Sequence, residues 1–168
     1  MIRILGAAAV ITGCGGFGIS LAAAARKECT MLQILIRAIQ EMQWELKYRM
    51  TELPELFHLA GESGSGVIRE IFLEMAEKLN RREVMDVSAA FLSEVNRREL
   101  PRKVRRNLKQ LAQSLGRYDL EGQLQGLETV RQQCRLDLTE LESEGKEQMR
   151  CYQTLTVCAG AALAIIFF

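Results

Sequence analysis

Charge stops abruptly near both ends of this sequence. Of its Asp, Glu, Lys and Arg residues, only Arg3 lies outside Arg26–Arg150. Two uncharged, apolar ends therefore flank a charged middle. From Asp119 the chain runs to Phe168 without a proline, and at Cys151 it changes from charged and amphipathic to apolar. At a helical rise of about 1.5 Å per residue, residues 151–168 nearly match a hydrocarbon core of about 30 Å. Residues 4–25, rich in Ala, Gly, Ile and Leu, are long enough to span. The expectation is an N-terminal transmembrane helix over 1–25, a helical domain over 26–150 and a C-terminal transmembrane helix over 151–168. Arg26, Lys27, Lys146 and Arg150 border the ends on the side of the middle, and the positive-inside rule places that side in the cytoplasm.

Three other readings of the first segment compete. Gly13-Cys14-Gly15-Gly16-Phe17-Gly18 matches GxGxxG, but a dinucleotide site needs a second strand and an acidic residue about 20 positions on. The sequence downstream is one long helical pattern. Ile11-Thr12-Gly13-Cys14 resembles a lipoprotein signal, yet the apolar stretch continues well past Cys14. A cleaved secretory leader is the third reading.

The middle is helical by composition and period. Proline occurs only at 54 and 101, and Leu, Glu, Arg, Gln and Ala dominate. Leu32, Leu35, Ile39, Met42 and Leu46 recur at three- and four-residue steps, continuing the first segment without a breaker to Met50. Thr51 reads as an N-cap with Pro54 in the first turn. Residues 61–66 are a glycine–serine loop. Ile68, Ile71, Phe72, Met75 and Leu79 mark one helix, and Val84, Val87, Phe91, Leu92 and Val95 another. Pro101 opens a helix with Val104, Leu108, Leu111 and Leu115 on its stripe. Gly116 reads as a helix stop and Asp119 as the cap of the last helix. There Leu120, Leu124, Leu127, Cys134, Leu138 and Leu141 form a heptad-like seam with Arg131 at one step. The fold expected is all-α: an antiparallel helical bundle whose terminal transmembrane helices continue into long amphipathic ones.

One charge cluster stands out. Arg97, Arg98, Arg102, Lys103, Arg105, Arg106 and Lys109 face Glu99 alone in sequence. A solvated face, a docking surface for an acidic protein and contact with anionic lipid all fit such a run. Nucleic acid does not, because no aromatic interleaving or groove-reading motif accompanies it. The acidic residues Asp137, Glu140, Glu142, Glu144 and Glu147 of the last helix are its intramolecular complement.

Chemistry is otherwise sparse. One histidine, five cysteines without a CxxC pair, and no P-loop, HExxH or GxSxG pair no nucleophile with a base and form no zinc site. No enzyme, cofactor or metal is expected. Physics alone stops at a membrane-anchored helical interaction domain, with a self-associating scaffold or sensor as the alternative.

Two short stretches go further. Glu45-Leu46-Lys47-Tyr48 with Thr51-Glu52-Leu53-Pro54-Glu55, and Leu115-Gly116-Arg117-Tyr118-Asp119 with Gln123, resemble the two signatures of the stage III sporulation protein AB family. As residues they read structurally: Tyr48, Leu53 and Leu56 fix a helix turn, and Gly116 and Asp119 a hairpin. The resemblance implies a component of the secretion-like channel between mother cell and forespore, at the mother-cell or outer forespore membrane. It further implies a platform similar to those of type II secretion and type IV pilus systems, coupling a cytoplasmic ATPase to channel subunits.

Overall fold

The computed structural model describes the backbone of residues 2–115 and 119–167, and the side chains of residues 23–115 and 119–145. Six helices make up the described chain: α1 (Ile2–Tyr48), α2 (Leu53–Glu62), α3 (Gly66–Asn80), α4 (Val87–Arg97), α5 (Arg102–Ser114) and α6 (Leu120–Phe167). The chain divides into two compact units, Glu28–Leu138 and the pair of terminal segments Met1–Lys27 and Thr139–Phe168. The packing described below lies within Glu28–Leu138.

Most of the apolar stripes read from the sequence become the core; on the α4 stripe Phe91 and Val95 are buried, whereas Val87 and Leu92 are half-buried and Val84, also half-buried, precedes the helix. Leu32, Leu35, Ile39, Met42 and Leu46 of α1 are all buried, as are Val104, Leu108, Leu111 and Leu115 of the α5 segment. Ile68, Ile71, Phe72 and Met75 of α3 join them, whereas Leu79, at the end of that helix, is only half-buried. Phe57 of α2, Phe72 of α3 and Phe91 of α4 form an aromatic triad with ring centroids 5.6–5.7 Å apart. Such tilted pairs add to simple area burial and tie three short helices together. Gly61 lets α2 and α3 approach closely: a Cβ there would stand 2.8 Å from the Leu73 side chain.

α5 and α6 form an antiparallel hairpin. Asn107 meets Asp137 near one end, and Ser114 meets Gly126 near the other. A Cβ at Gly126 would lie 2.5 Å from the Ser114 Cβ, so the glycine sets how closely the two helices pack. The seam of α6 differs in detail from its sequence reading. Leu127, Val130, Cys134 and Asp137 are buried, while Leu120 is exposed and Arg131 pairs with Glu128 on the half-buried flank. The three- and four-residue steps persist, but shifted by one residue at Val130, because α6 turns a single stripe inward at 3.6 residues per turn.

The expected unbroken continuation of the first segment into the amphipathic helix is present in α1, and the last arm is one helix in α6. The GxGxxG match at 13–18 falls within α1, with no strand-to-helix turn. The transmembrane part of the expected fold is corrected. Among the described residues, no helix is long and apolar enough to cross a membrane. The physical reason is charge: the parts of the two long helices with described side chains carry Arg26, Lys27, Glu28, Arg37, Glu41, Glu45 and Lys47 in α1, and Glu121, Glu128, Arg131, Arg135, Asp137, Glu140, Glu142 and Glu144 in α6. The expected location at the mother-cell or outer forespore membrane, and the role of a membrane platform joining an ATPase to a channel, rested on those spans, and no described helix supplies them. Residues 1–22 and 146–168, on which most of the two segments fall, lie outside the residues whose side chains are described.

Candidate interaction face on the fifth helix

The basic run does not act as one block; the fold divides it by geometry. Arg98 sits just past the end of α4 and reaches back to α3, donating to Glu70 and Glu74 at 2.6 Å each. Those acids are four residues apart and so lie on one helix face. Arg97 pairs at 3.3 Å with Glu94, a carboxylate that is buried and also bound by Lys78. Burial opposes ionisation of Glu94, but its hydrogen bonds and the Lys78 and Arg97 charges hold its carboxyl below the usual range. Arg106 donates at 2.5 Å to Asp137 of α6. Three of the seven cations thus pair with acids of the bundle.

Asp137 is the centre of a buried polar knot. It is 1% exposed and also accepts from Asn107 Nδ2 at 2.7 Å and Gln133 Nε2 at 3.1 Å. Desolvation works against its charge, yet the hydrogen bonds from Asn107, Arg106 and Gln133 outweigh it and lower the carboxyl below its ordinary value. The acidic complement read from the sequence is therefore realised at Asp137. Beside it, burial and then the Asp137 charge push the Cys134 thiol up to about 12, which leaves it an inert packing group.

α5 starts without a side-chain cap of its own, because its N-cap residue is Pro101. Glu28 of α1 supplies the missing acceptor: its Oε1 takes the Lys103 backbone N–H at 3.1 Å. A carboxylate at that end satisfies an orphan donor and complements the positive end of the helix dipole. Lys103 itself is half-buried. Arg105 donates to the Arg98 carbonyl at 3.2 Å, which fixes the α4–α5 corner.

The outer face of α5 is what remains. Arg102, Arg105, Arg106, Lys109, Gln110 and Gln113 line one open surface groove. Their steps of three and four residues make a single stripe opposite Val104, Leu108 and Leu111. No carboxylate lines this groove. Among the described residues, no ion pair engages Arg102 or Lys109. The stripe can hold anionic groups at helical spacing, with two amides to complete their hydrogen bonding.

The described residues of the two sequence signatures take these places. Glu45 is buried and accepts from Thr51 Oγ1 at 2.7 Å. Thr51 is thus not the cap of α2; that place belongs to Glu52, which makes no side-chain cap bond, with Pro54 in the first turn as expected. Tyr48 does not fix the turn either: it is 64% exposed and lies against the Trp44 ring instead, tilted 48° to it. Leu53 is half-buried, and Leu56 and Leu115 are buried. Asp119 does cap α6, its Oδ1 accepting from the Gly122 N–H at 3.1 Å, and the Gln123 N–H closes the first turn on the Asp119 carbonyl. Gly116 lies outside the described residues.

Sequence reasoning missed Glu28, Asn107, Gln110 and Gln113. Asp137 was legible as an acid but not as a core residue, although its step of three from Cys134 placed it on the stripe. Among the described residues, no group of three or more His, Cys, Asp or Glu side chains could hold a metal ion.

The model of the stage III sporulation protein AB family matches residues 3–168. Comparison with curated proteins and with solved structures gives no match.

Proposed function

We propose that this chain, which belongs to the stage III sporulation protein AB family, serves in sporulation as a helical scaffold that holds a partner protein on the outer face of α5. The family assignment makes it a non-enzymatic component. The observation that carries the reading is the stripe of Arg102, Arg105, Arg106 and Lys109 over one groove with no acid in its lining. Arg106 and Arg105 also serve the bundle, but Arg102 and Lys109 hold no ion pair among its described residues, and cations gathered at helical spacing repel one another unless an anionic surface comes opposite. The partner accordingly presents carboxylates, and a secretion-type ATPase of the same sporulation system is the partner proposed.

The test separates docking cations from bracing ones. Arg102→Glu with Lys109→Glu reverses charges that hold no ion pair within the described bundle, so the fold keeps its stability. Co-purification of the ATPase falls at least about tenfold, and the wild-type complex weakens as salt rises. Undiminished recovery with the double variant removes the α5 face from the interface.

A further inference from the structure

The end of α1 carries a second exposed surface, unlike the first in chemistry. Six large apolar side chains are exposed among the described residues, and three of them, Trp44, Tyr48 and Met50, fall within seven consecutive positions. Trp44 and Tyr48 are four residues apart, with ring centroids 5.7 Å apart. Met42, Glu45 and Leu46 take the inward face, so the two rings stand on the outward one. The Arg49 guanidinium lies 5.1 Å from the Trp44 ring centre and the Lys47 ammonium 5.3 Å from that of Tyr48. Trp, Tyr, Met and Arg are the residue types that interfaces concentrate.

The backbone holds this patch in place. Met50 adopts φ 51°, a left-handed conformation that disfavours side chains other than glycine. Buried Glu45 ties down the residues on either side, accepting the Thr51 hydroxyl at 2.7 Å and pairing with Arg49 at 3.5 Å. The turn thereby keeps Met50 74% exposed, two residues on from Tyr48.

We infer that the Trp44–Tyr48–Met50 patch is a self-association surface whose occupant is the same patch of a second copy of this chain. Charge decides the occupant. Exposed Lys47 and Arg49 lie against the rings and precede the turn at Met50, and exposed Glu52 and Glu55 follow it in the chain. A two-fold interface requires a surface complementary to itself. Here each copy brings two cations and two carboxylates, so a two-fold axis through the aromatic centre sets the cations of one against the acids of the other. A strongly acidic or basic partner would satisfy only half of those charges. The exposed apolar area is on the order of 400 Å², which suits the centre of an interface rather than all of one. The dimer is therefore weak, with Kd on the order of 10–100 µM.

Trp44 is the only tryptophan, so its emission reports on this patch alone. Sedimentation velocity and Trp44 emission are followed together on the purified full chain, over concentrations spanning the expected Kd. Monomer gives way to dimer, with a shift of emission to shorter wavelength. Tyr48→Glu weakens association at least about tenfold. Met50→Gly weakens it several-fold while the fold becomes no less stable, because glycine accepts the left-handed turn. That pairing excludes misfolding as the cause. A chain that stays monomeric with unchanged emission overturns the inference. So does association that survives both substitutions, or an emission shift that requires the ATPase and not a second copy. Arg102→Glu with Lys109→Glu leaves the dimer intact, so this surface and the α5 face stand or fall separately.

Discussion

Replacing Asp137 with alanine tests whether the α5–α6 hairpin is held by its buried polar knot. The carboxylate accepts three hydrogen bonds, from Asn107 at 2.7 Å, Arg106 at 2.5 Å and Gln133 at 3.1 Å. Their loss is unequal. Arg106 is 56% exposed and regains water, so its share is below about 1 kcal/mol. Asn107 is fully buried, and its Oδ1 already has no hydrogen-bond partner. Without Asp137 its amide donors are stranded as well, at about 1–3 kcal/mol. With the cavity, the total is about 3 kcal/mol, or roughly 6–12 °C in Tm for a chain of this size. Urea unfolding followed by far-UV circular dichroism at neutral pH measures it. The double variant Asn107→Leu, Asp137→Leu removes donor and acceptor together and recovers most of the loss. The wild type should also show an acid-sensitive component that Asp137→Ala lacks. The folded carboxyl lies below its unfolded value of about 3.9, so its stabilisation is complete above that value and lost as pH falls through the folded pKa. A loss under about 1 kcal/mol for Asp137→Ala, or a double variant as unstable as the single one, refutes the reasoning.

Two further substitutions probe the same bundle. Gly126→Ala puts a methyl 2.5 Å from the Ser114 Cβ, between two helix backbones with little room to part; it destabilises by about 1–3 kcal/mol, and pairing it with Ser114→Gly restores most of that in thermal melts. Glu128 is held down to about 2 by hydrogen bonds from Arg131 and from Gln43 of α1. Its contribution is whole above the unfolded value of about 4.3 and fades as pH drops towards 2. Being about one-third exposed, it is screened to about 1 kcal/mol or less. Glu128→Gln should flatten the acid limb of the stability–pH curve by that amount, and an unchanged limb would remove the Glu128 carboxylate as its source.

The helical stripes were legible because burial and period coincide: Leu32 to Leu46 and Val104 to Leu115 need only a 3.6-residue repeat to be read inward. The cap at Asp119 was legible because it is local, acting three residues on. What escaped the sequence is contact across large separations. Glu28 caps a helix 75 residues away, and Thr51 serves Glu45 rather than the helix it precedes. Thr51 at a helix start suggests a cap on propensity alone, but the buried carboxylate competes for the same hydroxyl and wins. The apolar ends illustrate a different limit. Hydropathy registers a stretch of sequence, and no helix among the described residues meets the length and apolarity of a membrane span.

The basic run shows why a charge cluster must be divided before it is given a role. Counted in sequence, seven cations look like one surface. In the fold, Arg97, Arg98 and Arg106 face acids on α4, α3 and α6, and reversing Arg106 would disturb the bundle and the groove at once. Arg102 and Lys109 share the outer groove without such a duty. The division follows from helix geometry, since positions 102, 105, 106 and 109 point outward while Asn107 and Leu108 point in. Arg106 stands on the boundary, bound to a buried carboxylate yet lining the groove. Asp137 therefore does more than stabilise: by fixing Arg106 and the neighbouring Asn107, it sets the rotation of α5 and hence which cations the scaffold presents. Substitution at Asp137 should then alter partner binding even where the fold survives, whereas substitution at Lys109 alters binding alone.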